Sequence, residues 1–354
     1  MHKITFRDTV TTMNKKKLLN KTVTHIDIKT FNAVPIISQF EKTAFQAKNL
    51  SRACEIYDKM LKDRSCAVIL CLAGSLFSAG LKKIVYDMVE NNMVDAIIST
   101  GAIMVDQDFF EALGFRHYQG SPRGNDKELF EMGIDRIYDT FIDEDDLREC
   151  DVTIKKIADS MQPQPYSSRE FIAVMGEFLD SRNKGKDSVV RAAFKKQVPI
   201  FVPAFSDSSA GFGLVFHQWE RKEKPKVSID SVKDFLELTK IKIASKNTGL
   251  LMIGGGVPKN FAQDVTVSAD IIGKSASMHK YAVQITVADE RDGGLSGSTL
   301  KEAHSWGKVD DTFEQMVFAE ATLAFPLLAS YAYHQGSWKK RPARKLSSVL
   351  ERGS

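Results

Sequence analysis

The feature that most constrains this chain is a run of seven residues without a polar face, CAVILCL from Cys66 to Leu72. Runs that are apolar at both odd and even positions form strands covered on both sides. Similar runs recur as DAIIST (Asp95 to Thr100), VPIFVPA (Val198 to Ala204), TGLLMIGGG (Thr248 to Gly256) and KYAVQITVA (Lys280 to Ala288). Between them, stretches such as LKKIVYDMVENN and SVKDFLELTKIKIAS return to helical spacing. This alternation predicts an α/β fold: a single large domain, mostly parallel sheet flanked by helices. Its crossovers are right-handed, and ligands belong at the carboxyl ends of the strands.

The rest of the chain is read around that sheet. Val34 to Asp63 carries apolar residues at helical spacing, enough for one or two helices, and Tyr118 to Lys196 reads as mainly helical and charged. A last helix covers LAFPLLASYAYHQ, with Pro326 near its start. Residues 1–30 are polar and weakly patterned, an arm preceding a catalytic domain over 31–335, and 336–354 form a basic, solvated tail. No internal repeat is visible.

A chain of 354 residues can bury a full core. Its net charge of +4 is small for that length, which argues against a nucleic-acid partner. Cys54, Cys66, Cys71 and Cys150 form no CxxC pair and stand beside no histidine cluster. They read as buried reduced thiols, with no metal site expected. The amino terminus lacks the apolar stretch of a secretory signal. No uncharged apolar run approaches the roughly 20 residues of a membrane span. No membrane partner and a cytoplasmic location are therefore expected.

Two constellations can carry chemistry. In LLMIGGGVPKNF a buried strand ends in Gly254, Gly255 and Gly256, and Pro258 can open a helix. Glycines let backbone N–H groups approach a phosphate or ribose at a helix start. They equally serve a tight turn with no ligand, and the residues alone leave both readings open. The pattern is not GxGxxG. Small and hydroxyl residues also follow other strands: Gly74, Ser75, Ser78 and Gly80, then Ser99, Thr100 and Gly101, then Asp207 within PAFSDSSAGFG. Repetition at one sheet edge suggests a shared cleft, although Asp207 alone suits a helix cap equally well. The second constellation is DGGLSGSTLKEAHSWGK, Asp292 to Lys308. On a helix Glu302 and Trp306 share a face, and Lys308 follows Gly307. A tryptophan wall can desolvate an amine nucleophile and hold a substrate cation over its ring. Taken alone, the same residues more often mean a solvated lysine beside a core tryptophan. His117, His217 and His304 are isolated and read as structural.

These motifs together closely resemble the deoxyhypusine synthase family: SWGK at 305–308 preceded by EAH, FAEATLAFPLL, NMVDAIISTGA, LAGSLFSAG, GIDRI, PAFSD and IGGGVPKN, in order from about residue 30 to 335. The resemblance implies a homotetramer with active sites at a subunit interface and NAD as a recycled hydride carrier. It places Lys308 as the imine-forming lysine, and Trp306 and Glu302 in the donor pocket. Ser78, Thr100, Gly101, Asp207, Gly255, Gly256, Ala288 and Asp292 fall where the family contacts NAD. Ser75 and Gly254 beside them complete the expected cofactor set, and Glu320 stands where an Asp is usual.

Departures from the family pattern bear on the substrate. Around spermidine the eukaryotic enzymes place an Asp, a His, a Tyr and another Asp, and here those substrate positions read Phe212, Asn260, Gln284 and Leu295. A carboxylate paired with a ligand ammonium is worth on the order of 1.5–3 kcal/mol, so losing two weakens that binding mode unless others compensate. The acidic pair after the second strand becomes Asp106 and Gln107, with a one-residue insertion, which puts the proposed general base in doubt. QIT and GGLSG look like the bacterial branch, similar to homospermidine-type synthases that join small amines. The leading expectation is therefore an NAD-dependent aminoalkyl (aminobutyl) transferase acting on putrescine, spermidine or related amines. The alternatives are a true deoxyhypusine synthase modifying a lysine of the hypusine-bearing translation factor, and a non-catalytic regulatory subunit of a paralogue.

Overall fold

A computed structural model describes residues 15–351. Six parallel strands build the main sheet: β1 (Cys66–Leu72), β2 (Ala96–Ser99), β3 (Ile200–Phe201), β4 (Asn247–Ile253), β5 (Tyr281–Thr286) and β6 (Glu314–Phe318). They lie in the order β6-β5-β4-β1-β2-β3. The chain starts at the centre, runs outward through β2 to β3, then returns to the other side of β1. The strand order therefore reverses between β1 and β4, which pair along their whole length from Cys66 opposite Asn247 to Leu72 opposite Ile253. In open parallel sheets a crevice opens at the carboxyl side of such a reversal.

β1 is buried at every position, as its composition requires. Val68, Leu70 and Leu72 enter one apolar core, while Ala67, Ile69 and Cys71 enter the other. The first core is completed by α1 (Phe45–Lys62), through Tyr57 and Met60, and by α6 (Ala321–Gln335), through Phe325 and Leu328. The second is covered by Leu238 and Ile241 of α3 (Ser231–Ala244) and by Ala262 and Val265 of α4 (Gly256–Ile271). Four buried free cysteines lie among these residues.

Several sequence expectations need correction. The Val198–Ala204 run supplies only two strand residues, because Pro199 and Pro203 lack the N–H a ladder requires. β6 is an addition to the expected strands: EQMVF is short and begins with two polar residues. The stretch after Tyr118 is not mainly helical at its start. Ile134–Ile137 and Thr140–Asp143 form an antiparallel hairpin joined to Tyr118–Gln119. Tyr138, at φ 51°, occupies the left-handed turn position that glycine or asparagine normally marks, so the turn signal is absent. Pro258 sits at the third position of α4, not the first, where its missing N–H still costs nothing.

The described part of the tail, residues 336–351, is partly docked on the fold while several of its basic residues stay exposed. Arg341 is 6% exposed and ion-pairs with the buried Asp95 at 2.6 Å, and Leu346 and Leu350 join the second core. Residues 15–28 of the expected arm also dock: His25 bonds Glu111, Ile26 N–H bonds the Gly80 carbonyl, and Ile28 is fully buried. The first 14 residues lie outside those described. Among the described residues, no helix is long and apolar enough to cross a membrane.

Candidate active site

The carboxyl ends of the strands gather most of the expected cofactor residues. Ser75 and Ser78 follow β1, Thr100 and Gly101 follow β2, and Asp207 follows β3. Gly254 to Gly256 follow β4, Ala288 and Asp292 follow β5, and Glu320 follows β6. The loops after β1 and β4 touch at the strand-order reversal. A Cβ on Gly254 would lie 3.1 Å from the Ala73 side chain, and Gly254 itself has φ +84°, so glycine is required there. Gly255 is needed for a different reason: a Cβ there would sit 2.5 Å from Cα of Ser296, in the Asp292–Ser298 loop that closes over the turn.

Oxygens without partners cluster at this edge. Ser99 Oγ and Thr100 Oγ1 are buried and unpaired among the described residues. The helix after β3, α2 (Ser209–Arg221), is capped by Ser208, so Asp207 is released from the capping role and stays exposed. α4 has no side-chain cap, which leaves its first N–H groups free to face an anion. Unsatisfied hydroxyls, an unengaged carboxylate and an open helix start are what a dinucleotide's ribose hydroxyls and phosphates require. The residues present fit NAD on these grounds.

After β2 the chain forms a π-helix, Ala102–Phe109, a form frequent at functional sites. Gln107 is buried, and its Oε1 accepts from the N–H groups of Phe77 and Ser78 at 2.9 and 3.1 Å. It pins the β1 loop. Asp106 accepts from Ser209 N–H at 2.7 Å; burial pushes its carboxyl up to about 6 against that bond, and the neighbouring Asp151 and Asp207 charges add to the rise.

The second constellation surrounds a cavity of about 800 Å³ between α4 and the 293–308 segment. A capping box, with Thr299 and Glu302 bonding each other's backbone N–H groups, starts the short helix α5 (Leu300–Ser305). Trp306 ends it, and Gly307 at φ +69° turns the chain so that Lys308 points back beneath the ring. The Lys308 side chain is 13% exposed; its Nζ lies 5.1 Å from the Trp306 ring centre and 2.6 Å from Asp264 Oδ1. Asn260, one turn earlier on α4, donates to Asp264 Oδ2 at 2.8 Å. Glu302, Leu295 and Phe235 complete the working part of the wall.

This motif set and this sheet order have a match. A family model described as deoxyhypusine synthase fits residues 35–332. The chain belongs to the deoxyhypusine synthase family. Two relatives named deoxyhypusine synthase-like protein are close to it in sequence. The one from Chlorobaculum parvum is 62% identical over 340 residues, covering 96% of this chain and 97% of that one. The one from Coxiella burnetii is 58% identical over 338 residues, covering 95% and 96%. In structure, an Entamoeba histolytica crystal structure assigned to deoxyhypusine synthase superposes with a TM-score of 0.60 at 20% identity, covering 88% of this chain and 97% of that one. That likeness confirms the α/β fold.

Within this member of the deoxyhypusine synthase family, the expected site residues divide. Lys308, Trp306, Glu302, Asn260 and Leu295 share the cavity. Phe212 does not join them; it lines a separate depression with Phe216, Trp219 and Asp151, because α2 leads away on the β3 side of the sheet. Gln284 is fully buried within β5 and donates to the Gly254 and Ser296 carbonyls at 3.1 and 3.0 Å, so it ties the glycine turn to the loop above it.

Two residues escape a reading of the sequence. Asp264 sits one turn beyond Asn260, and that i,i+4 spacing is the available signal. Lys259 is 1% exposed and donates to the Ser298 carbonyl and, at 3.0 Å, to Ser298 Oγ. Burial pulls its ammonium down to about 8, with the Lys308 charge assisting and Glu302 opposing. It anchors the cavity wall from behind.

Proposed function

We propose that this chain is an NAD-dependent aminoalkyl transferase in which Lys308 carries the transferred group as a covalent imine, with small di- or polyamines as donor and acceptor. The observation that carries the reading is the Lys308 amine, under the Trp306 ring in a cavity that also holds Glu302 and Asp264. Two carboxylates separated by apolar wall suit a molecule with ammonium ends and an alkyl middle. Asp264 supplies an acidic partner that Phe212 and Leu295 cannot. Trp306 offers its π face to a cation.

Bound at the carboxyl edge of the sheet, NAD would supply reversible hydride acceptance for the donor amine. Thr100, Gly101, Asp207, the Gly254–Gly256 turn, Ala288 and Asp292 would hold it, with Ser75, Ser78 and Glu320 at its margins. The chain's own work is positional and nucleophilic. Glu302 anchors one ammonium, Trp306 and Phe235 exclude water from the alkyl chain, and Lys308 Nζ closes the bond to the oxidised carbon. A second amine then displaces Lys308. The family resemblance also supports a homotetramer, with Phe212 meeting the cavity from another subunit.

Incubation with NAD and a panel of amines, read by mass spectrometry, tests this. Putrescine or spermidine should yield condensed amines such as homospermidine, and Lys308→Ala should bind NAD yet yield none. Condensed product from Lys308→Ala would refute the covalent route. A second reading, favoured by the description of the matching family model, keeps a protein lysine as acceptor; transfer of labelled spermidine carbon to the hypusine-bearing translation factor would establish it.

A further inference from the structure

We propose that Asp264 is a catalytic residue of this site, the proton acceptor and donor for Lys308 during imine formation and release. The proposal rests on the reading that Lys308 carries the transferred group, and it assigns the step that reading leaves unassisted.

A lysine paired with a carboxylate must lose a proton before its nitrogen can attack carbon. Asp264 Oδ1 is 2.6 Å from Lys308 Nζ, within direct transfer distance. The pair is fixed from both ends. Asn260 holds the other carboxylate oxygen at 2.8 Å, and Gly307 with the Lys308 backbone sets the lysine stem, whose carbonyl accepts from His279 N–H at 2.9 Å. Both side chains face the same cavity, so the carboxylate can reach a nitrogen leaving from a carbon bound to Nζ. No hydrogen bond or ion pair joins another acid to Lys308 among the described residues. Glu302, held by Thr299 N–H at 2.9 Å, is the ammonium anchor, and Asp106 is committed to Ser209 N–H.

The protons balance. Asp264 takes one proton from Lys308, and the freed lone pair forms the Nζ–C bond with the iminium carbon. A second Nζ proton passes through the same carboxyl to the departing nitrogen, the C–N bond to it breaks, and a protonated imine remains on Lys308. The leaving amine departs as its ammonium with the first proton. Asp264 ends as carboxylate beside the charged imine. The iminium itself comes from the dehydrogenation assigned to NAD above, and no further oxidant enters.

The test bypasses that dehydrogenation. Full-length protein without cofactor is mixed with 4-aminobutanal and cyanoborohydride, and alkylation of Lys308 is followed by mass spectrometry from pH 6 to 10. Wild type should trap the aldehyde on Lys308. Asp264→Asn, which keeps the shape, should trap about 100-fold more slowly near pH 7, with Asp264→Glu recovering much of the rate. If the carboxylate did no more than store the ammonium, Asp264→Asn would release the amine and trap faster. An equal or faster rate in that variant overturns the proposal, as does a wild type that takes no aldehyde on Lys308. Should Asp264→Asn not fold, the comparison runs with Asp264→Ser, with and without added formate, where rescue by formate supports the role and its absence overturns it. A wild type that traps the aldehyde but makes no product from amines and NAD would sink the proposed function while leaving Asp264 in place.

Discussion

Lys308, Lys259 and Lys242 are withdrawn from solvent, and each meets a different fate. Lys308 has a carboxylate at 2.6 Å, Lys259 has a serine carbonyl and hydroxyl, and Lys242 has only Thr248 Oγ1 at 2.6 Å and the Met278 carbonyl at 3.5 Å. Burial pulls the Lys242 ammonium down to about 8 from 10.5. A lysine whose pKa falls on folding penalises the fold in full below the lower value. The penalty fades as pH rises from 8 toward 10.5. At about 1.4 kcal/mol per unit it amounts to about 3 kcal/mol, partly offset by the hydrogen bond to Thr248. Lys242→Met should therefore be about 1–2 kcal/mol more stable than wild type at pH 7 in denaturant melts. The gap should shrink as pH approaches 10; a variant less stable at pH 7 would show that the bonds to Thr248 and Met278 outweigh burial.

Among elements, β1, β2, β4 and β5 are legible in the sequence because strands buried on both faces leave an unbroken apolar run. So is the placement of small residues at their carboxyl ends, since topology alone puts those ends on one edge. What escapes is decided by contacts across the chain. β6 pairs with β5 despite polar residues at its start, and the hairpin at residues 134–143 turns on Tyr138 without a glycine. The basic tail reads as solvated when its charges are considered without partners, yet Arg341 supplies the cation for Asp95, a carboxylate that burial pushes upward. The triple glycine is recognisable as a tight approach, but the approach at Gly255 is made by Ser296, a neighbour sequence spacing does not reveal. Motif resemblance finds Lys308, Trp306 and Glu302; Asp264 needs the fold, because nothing in the motif pairs it with the lysine.

At the scale of the molecule, much apolar surface is left outside. Phe212, Val215 and Trp219 of α2 are 63%, 69% and 81% exposed, and Val232, Ile271 and Trp306 are also exposed. Exposed aromatic and aliphatic side chains grouped along one helix, as on α2, suit an association surface. A tetramer is the expected result of light scattering at micromolar concentration, and Trp219→Glu should shift it toward smaller species; a monodisperse wild-type monomer would contradict the shared-site arrangement. The central claim, however, concerns one nitrogen. Wild-type protein incubated with NAD and putrescine, then reduced with cyanoborohydride and digested, should give an aminobutyl adduct on the peptide containing Lys308, and none without NAD. No adduct with any di- or polyamine, or an adduct on a different lysine, would contradict it.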